Sequence, residues 1–436
     1  MKKSEIGVGL LGFGTVGGGV VDIFNKNLDL IEKRAGVKVR LKKIADLDIT
    51  TDRGVDVDRS ILTQSAESVV TDPSIDIIVE LIGGLGISKS LISTALRNGK
   101  SVVTANKALL AEFGAEIFKI AEENGRDIFF EASVAGGIPV IKPLRNGLIS
   151  DRIKSIVGIL NGTCNYILSK METDHQLFSE ALAEAQAHGF AEADPALDID
   201  GIDTAHKASV LASIAYGFNI DFNSIDVQGI RGLDRNDIEY AADLGYRIKM
   251  LAAIKNRNNK VSLDVSPALV PVDHILASVN GVFNAVLING DNVGDVLFYG
   301  RGAGRGPTAS AVVSDIIDAA RDISLNCIRR APGFVSYNSN CELSTNGDTK
   351  VRYYLRLMLL DKPGVFGKIG AILGSHNVSI ASLLQKEVRS GDYVAVVITT
   401  HYAEVNNLRK ALSELESLDI VGAKPISFPM EDFCTI

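Results

Sequence analysis

The sequence predicts an α/β protein in three parts, on three observations. A glycine cluster, "GLLGFGTVGGGV" at 9–20, falls between a strand-like and a helix-like segment. Strand and helix patterns then alternate through about residue 134, the mark of a parallel, doubly wound sheet. Residues 351–429 read in the order β-α-β-β-α-β, a ferredoxin-like plan.

The first part begins with "EIGVGLLGFG", a buried strand running into glycine, so the N-terminus reads as a strand and not a signal peptide. A helix follows, with Val20, Ile23, Phe24, Leu28 and Ile31 as its apolar stripe. Gly12-Phe13-Gly14-Thr15-Val16-Gly17 therefore sits at a strand–turn–helix, the context in which GxGxxG binds a dinucleotide. Gly12 makes the turn, Gly14 lets a pyrophosphate approach the backbone, and Gly17 lets the helix pack on the strand. The helix N-terminus supplies free N–H groups and positive dipole. A purely structural turn is the competing reading.

Further strands are "VRLKKIADLD", "IDIIVELIGG", "SVVTAN" and "RDIFFEASV", with helices at "KSLISTALRNGK" and "ALLAEFGAEIFKIAEENG". Ligands bind at the carboxyl ends of such strands, which puts Ile82-Gly83-Gly84, Thr104-Ala105-Asn106-Lys107 and Glu131-Ala132-Ser133 at the crevice. Asp46 or Asp48, ending the second strand, is placed to hold the adenosine ribose of NAD. Lys42, Lys43 and Arg53 keep NADP open.

The middle part is richest at 185–217, "AQAHGFAEADPALDIDGIDTAHKASVLASIAYG". Acids, a proline and two glycines crowd into 189–203 before a helix begins after Gly201. Asp203 and Lys207 lie four apart on one face of that helix, in line with Val210 and Ile214. A charge pair in line with apolar residues borders a cleft, where the lysine can move a proton and the carboxylate can orient it. An ordinary surface ion pair is the alternative.

Composition narrows the function. The 436 residues are 46% hydrophobic and 22% charged, with formal net charge −8, which argues against nucleic acid. No apolar run is long enough to span a membrane. Cys164, Cys327, Cys341 and Cys434 are scattered without CxxC pairing, as expected of reduced thiols in a cytoplasm.

The 185–217 stretch resembles the signature of the homoserine dehydrogenase family, carried by Ala185, Gly189-Phe190-Ala191, Asp194-Pro195, Asp198-Ile199, Gly201, Asp203 and Lys207. "TANKALLA" (104–111), "EASVAGGIPVI" (131–141), "NGTCNYIL" (161–168) and "YGRGAGRGPTASAVVSDI" (299–316) are similar to the family's other landmarks, in its order. The resemblance implies a Rossmann-like NAD(P)-binding domain at 1–135 with helices near 300–325 returning to it, an α+β substrate and dimerisation domain at 136–300, and an ACT regulatory domain at 351–430. It implies reversible reduction of aspartate 4-semialdehyde to homoserine, in threonine and methionine biosynthesis, by a cytoplasmic homodimer or homotetramer. Lys207 would then be the acid–base residue, held by Asp203, with Lys107 beside the nicotinamide. Glu192 would take the substrate amino group, Asp198 would help hold the substrate, and Gly302, Ala303 and Gly304 would close over the cofactor. Main-chain oxygens of Glu131, Val134, Gly136 and Ile138 would contribute to a sodium site. Leu47 after Asp46, where many relatives carry Arg or Lys, leans the cofactor toward NAD or dual use.

The composition changes from about 317 to 350, and "APGFVSYNSNCELSTNGDTK" (331–350) reads as a polar connector. In the tail, Asp361-Lys362-Pro363-Gly364-Val365 looks like the turn of an ACT domain, with Asn377 a plausible effector contact. The family pathway makes threonine the natural effector, and a plain oligomerisation module is the alternative. Two other functions compete: an acylating semialdehyde dehydrogenase using Cys164, and a non-enzymatic nucleotide and amino-acid sensor. His188 and His206 are read as structural histidines.

Overall fold

The computed structural model describes residues 3–328, 330, 340–344, 347 and 349–433, so Cys434 and most of the connector lie outside the described residues. The first sheet is parallel throughout, in the order β3-β2-β1-β4-β5-β6. Its strands and helices are β1 (Glu5–Leu11), α1 (Thr15–Ala35), β2 (Lys38–Ala45), β3 (Leu62–Thr63), α2 (Ala66–Val70), β4 (Ile77–Glu80), α3 (Gly86–Arg97), β5 (Ser101–Thr104), α4 (Lys107–Glu123) and β6 (Ile128–Phe129). Strand order reverses between β1 and β4, which opens the crevice at their carboxyl ends. Ile6, Val8 and Leu10 of β1 are fully buried against Val20 and Phe24 of α1, the stripe that the 3.6 period marks out.

Two sequence expectations fail locally. The strand expected over 126–134 stops at Phe129, because Glu131–Ser133 form a 3-10 turn that swings the Glu131 carboxylate onto other backbone. The composition change expected from about 317 comes later, since α10 (Arg305–Ser324) carries on through Ser324 with Ala319 and Ala320 in the core. Before it come β7 (Ile153–Ile159), α5 (Gly162–Thr173), α6 (Phe178–Ala187), α7 (Ala196–Ile199), α8 (Ile202–Tyr216), β8 (Asp226–Val227), α9 (Arg235–Asp243), β9 (Tyr246–Arg257), β10 (Lys260–Pro271), β11 (Phe283–Gly290) and β12 (Gly294–Arg301). Helix α10 returns to lie along α1 and beneath β4 and β5.

The middle strands form an antiparallel sheet, β12-β11-β7-β9-β10. Helix α8 packs on β9, β10 and α4, so it joins the two domains. It is buried nearly all round, as a helix at such a junction must be.

The tail holds β13 (Glu342–Leu343), β14 (Lys350–Leu360), α11 (Val365–Ser375), β15 (Ile380–Ser390), β16 (Tyr393–Thr400), β17 (Ala403–Glu404), α12 (Val405–Glu416) and β18 (Ile426–Met430). Strands β18-β14-β16-β15 form an antiparallel sheet whose core sets Leu355, Leu357 and Leu359 against Ile369, Leu373, Leu408 and Leu415. This unit joins the middle sheet where β18 meets β10 at Met430 and Leu269. Arg356 of β14 also reaches α9, gripping the fully buried Asp237 carboxylate at 2.7 Å and 3.1 Å. Among the described residues, no helix is long and apolar enough to cross a membrane.

Candidate functional site

The glycine turn is built by β1, α1 and β2. Gly12 sits at φ +98°, and its N–H donates to the Ala45 carbonyl at 2.8 Å. A Cβ on Gly17 would lie 2.1 Å from the Gly12 carbonyl oxygen. The bare Gly17 therefore serves first to let the turn close on itself, more than to seat the helix on a strand side chain. Nothing approaches within 4 Å of a Cβ built on Gly14, so that flank is open. Helix α1 starts at Thr15 with no side-chain cap and no acid in its first turn. Its leading amides, from Thr15, Val16 and Gly17, are thus a ready anion site. Phe13 contributes otherwise: its ring is core, and its N–H donates to Asp46 Oδ2 at 2.5 Å. Asp46 Oδ1 accepts from Asp48 N at 2.9 Å, so Asp46 ties β2 to the turn while keeping spare lone pairs. These features fit a dinucleotide.

Two groups beside this turn and the neighbouring strand ends, Glu80 and Arg305, escaped the sequence reading. Glu80, fully buried at the end of β4, accepts from the amides of Ile82 and Gly83, from Ser88 Oγ, and from Thr104 Oγ1 at 2.7 Å. It fastens the ends of β4 and β5 into one ledge. Asn106 continues it, donating to the Gly84 carbonyl at 2.7 Å and capping α4 through Leu109 N. Arg305, first residue of α10, lays its guanidinium 3.6 Å from the Cβ position of Gly18 and 3.9 Å from that of Gly54. Nearby Arg53 reaches Asp48 at 3.2 Å. An acid ending a strand inside a hydrophobic run signalled Glu80. Arg305 lay in the quoted "GRGPTAS" with nothing local to single it out.

At the domain junction, Lys207 Nζ donates to Asp203 Oδ2 at 2.6 Å and to the Leu160 carbonyl at 2.7 Å. Lys107, first residue of α4, brings its Nζ to 3.2 Å from Asp203 Oδ1. Asn161 caps α5, its Oδ1 accepting from Cys164 N, while its Nδ2 donates to Asp198 Oδ1 at 2.7 Å and Asp203 Oδ2 at 2.9 Å. Burial alone would raise the Asp203 carboxyl. The Lys207 and Lys107 ammoniums and these hydrogen bonds outweigh it and hold Asp203 well below the usual carboxylate range. For Asp198 burial wins, aided by Asp203, against the Asn161 bond, and its carboxyl is raised. An ammonium with two of three protons already placed has one left for a ligand.

Glu192 lies apart, on the exposed loop between α6 and α7, its carboxylate unpaired among the described residues. Its carbonyl accepts from Gln186 at 3.0 Å. The loop 131–138 is pinned beside Gly302: a Cβ on Gly136, at φ +52°, would fall 2.3 Å from the Gly302 carbonyl oxygen. The Glu131 carboxylate accepts the amides of Val140, Ile141 and Lys142 at 2.6 Å, 2.9 Å and 2.8 Å. Burial, helped by Asp315 and opposed by those amides, pushes its carboxyl to about 7. An oxygen-only donor set from Glu131, Val134, Gly136 and Ile138 suits a hard cation. Among the described residues, no cluster of three His, Cys, Asp or Glu side chains offers a metal site. Gly304 is the residue just before α10, so Gly302 and Ala303 lead directly into the helix that flanks α1.

Cys164 is fully buried, and its Sγ donates to the Asp198 carbonyl at 3.2 Å. Burial, then the Asp198 and Asp203 charges, push its thiol far up, the opposite of an activated nucleophile. The acylating alternative loses its thiolate on that ground. His206 stacks on Phe222 at 4.4 Å and His188 on Phe190 at 5.8 Å, both packing roles.

Residues 12–131 match the model of the homoserine dehydrogenase NAD binding domain, 139–317 that of homoserine dehydrogenase, and 353–418 that of the ACT domain. The chain is 43% identical over 425 residues to homoserine dehydrogenase of Neisseria gonorrhoeae, covering 97% of each. Its fold is similar to a homoserine dehydrogenase from Thiobacillus denitrificans, with TM-score 0.91, 42% identity and 98% of each chain covered. It is also similar to a hyperthermophilic archaeal homoserine dehydrogenase in complex with NADPH, with TM-score 0.62 and 29% identity over 72% of this chain and 97% of that one.

Proposed function

The chain belongs to the homoserine dehydrogenase family, an NAD-binding oxidoreductase with an ACT domain, and on that premise we propose how its own residues run the reaction. The substrate pair is aspartate 4-semialdehyde and homoserine. The observation that carries the reading is the Lys207–Asp203–Lys107 cluster at the joint between the nucleotide domain and the middle domain. The nicotinamide cofactor, when bound, supplies or takes up the hydride.

Lys207 hands its unplaced proton to the carbonyl oxygen as the aldehyde carbon becomes an alcohol, and takes it back in the reverse direction. Asp203 and the Leu160 carbonyl fix where that proton points. Lys107 adds a second cation facing the same carboxylate and steadies charge on the reacting oxygen. Asp198 holds the substrate from beside Asn161, and Glu192 folds in from its loop to take the amino group. The α1 amides carry the pyrophosphate and Asp46 the ribose. Arg53 and Arg305 make room for a 2′-phosphate, so NAD and NADP both serve, a reading supported by the NADPH complex of the archaeal relative. Sodium, if bound at 131–138, orders the loop against Gly302.

The ACT domain makes the enzyme responsive to threonine, through the Asp361–Val365 turn and Asn377. The assembly is a homodimer or homotetramer in the cytoplasm. Absorbance at 340 nm with homoserine and NAD or NADP, with and without L-threonine, tests these points. No turnover with either cofactor defeats the enzymatic reading. Rates unmoved by millimolar threonine leave the tail without that regulation.

A further inference from the structure

The ACT unit and the middle domain do not close up where they meet. Between β8 and β10 on one side and α12, β18 and the start of β14 on the other lies a cavity of about 220 Å³. That is many times the space one water needs. Val351, Val405, Leu408 and Leu412 give it an apolar wall.

Its charged groups are oddly matched. Asp226 and Asp264 stand directly opposite in the parallel β8–β10 register, an unfavourable pairing of like charges. Arg409 of α12 spans the interface to Asp226 at 2.8 Å, using one of its five N–H donors. No hydrogen bond reaches the Asp264 carboxylate among the described residues. Burial, with Glu431 and Asp226 adding and Lys255 opposing, pushes it to about 7. Lys255 is already committed to Glu431. The cavity thus holds an unpaired carboxyl, a guanidinium with donors to spare, and an aliphatic wall between two domains.

We propose that this cavity binds an aliphatic α-amino acid, with its ammonium on Asp264, its carboxylate on Arg409 and its side chain against Val351, Leu408 and Leu412. The site is separate from the Asp361–Val365 turn and Asn377. It also has a route to the catalytic helix. Val227 and Val265, which line it, pack over Gly201: a Cβ there would lie 3.0 Å and 3.5 Å from their Cγ1 atoms. Gly201 is the left-handed residue, at φ +87°, from which α8 starts, two residues before Asp203. An occupant that shifts β8 or β10 therefore bears on the turn that aims Asp203 and Lys207. The effect on rate rests on the enzymatic and regulatory reading above; binding itself does not.

Isothermal titration calorimetry of the full chain with L-threonine, L-isoleucine, L-methionine and L-valine tests it, beside Asp264→Asn, Arg409→Met and Asn377→Ala. Arg409 is exposed, so its variant folds even where Asp264→Asn does not. The expected result is one site per chain for L-isoleucine, L-methionine or L-valine, weakened at least tenfold in Asp264→Asn and Arg409→Met but not in Asn377→Ala, which weakens only the L-threonine binding assigned above to the ACT turn. Binding of these three unaltered in Arg409→Met, or none by any of them, overturns the site. Their loss in Asn377→Ala alone overturns it too, yet keeps a regulatory ACT domain. Binding that follows the expected pattern without moving the rate upholds the site and defeats the regulatory reading.

Discussion

Lys207 and Asp203, one turn apart on α8, meet at 2.6 Å with only 12% and 10% of their side chains exposed. A pair so closed off is not surface decoration, whose worth is near zero. Asp203 also faces Lys107 and Asn161, so it is the hub through which both lysines are held.

Replacing Lys207 with Met removes the proposed proton donor and leaves the volume. Turnover of homoserine should fall about 10²- to 10⁴-fold, the range for losing general acid–base help, with KM moving far less. Cys164→Ser should stay within about threefold of the parent, because the thiol is buried and its function is packing. Steady-state kinetics at 340 nm reads both.

Asn161 should behave as a positioning residue. Asn161→Ala strips a donor from both Asp198 and Asp203 and the cap from α5. The cap alone costs about 1 kcal/mol of stability. Beyond that, kcat should fall roughly 10-fold as the lysine loses its fixed aim. The acid limb of the kcat–pH profile should move upward, since both carboxylates lose a bond that favours their charged form. A change in melting temperature without that displacement would reduce Asn161 to a cap.

What the sequence disclosed follows from distance along the chain. Gly12 to Gly17 and Asp203 with Lys207 are patterns within one turn, so spacing alone exposes them. The parallel sheet needed only β-α alternation, whereas its strand order rests on contacts no local pattern states, and β3, two residues long, carried no period to read. Asn161 works through Asp198 and Asp203, 37 and 42 residues on, and no local pattern links them. Glu80 and Arg305 are likewise given their roles by backbone from other elements. The truncation of β6 has the same root: Glu131 leaves the sheet to serve amides nine to eleven residues later.

Glu131 should leave a mark on stability against pH. Its folded-state value, about 7, exceeds the ordinary 4.5. The folded chain therefore keeps a proton that the unfolded chain has released. Stability from this group is full below pH 4.5 and is lost as pH rises through 7, by about 3 kcal/mol as an upper figure. Glu131→Gln, which cannot ionise, should melt below the parent at pH 5 and close the gap by pH 8. Calorimetric melting at both values decides it; a gap that widens with pH refutes the assignment.

The Arg356–Asp237 pair should tie the ACT unit to the enzyme. Asp237 is fully buried and also accepts from Tyr354 Oη at 2.8 Å. Arg356→Met strands that carboxylate and should cost about 3–5 kcal/mol. Adding Asp237→Asn should return much of the loss, since the stranded charge and not the missing pair sets the cost. Urea unfolding of the single and double variants measures the recovery.

Arg305 should read the cofactor. It starts α10, whose backbone approaches α1 so closely that a Cβ on Gly19 would lie 2.7 Å from the Arg305 carbonyl oxygen. Its guanidinium is thereby fixed beside Gly18, over the first turn of α1, on the side where Arg53 approaches. A fixed cation there favours a 2′-phosphate, while Asp46, tied to Phe13 N, favours a 2′-hydroxyl. The two residues pull cofactor choice in opposite directions. Arg305→Ala should raise KM for NADP about tenfold and for NAD little, a difference of about 1.4 kcal/mol. Asp46→Asn should do the reverse, raising KM for NAD more than for NADP. Equal effects on both cofactors would mean that Arg305 meets the pyrophosphate, which NAD and NADP share.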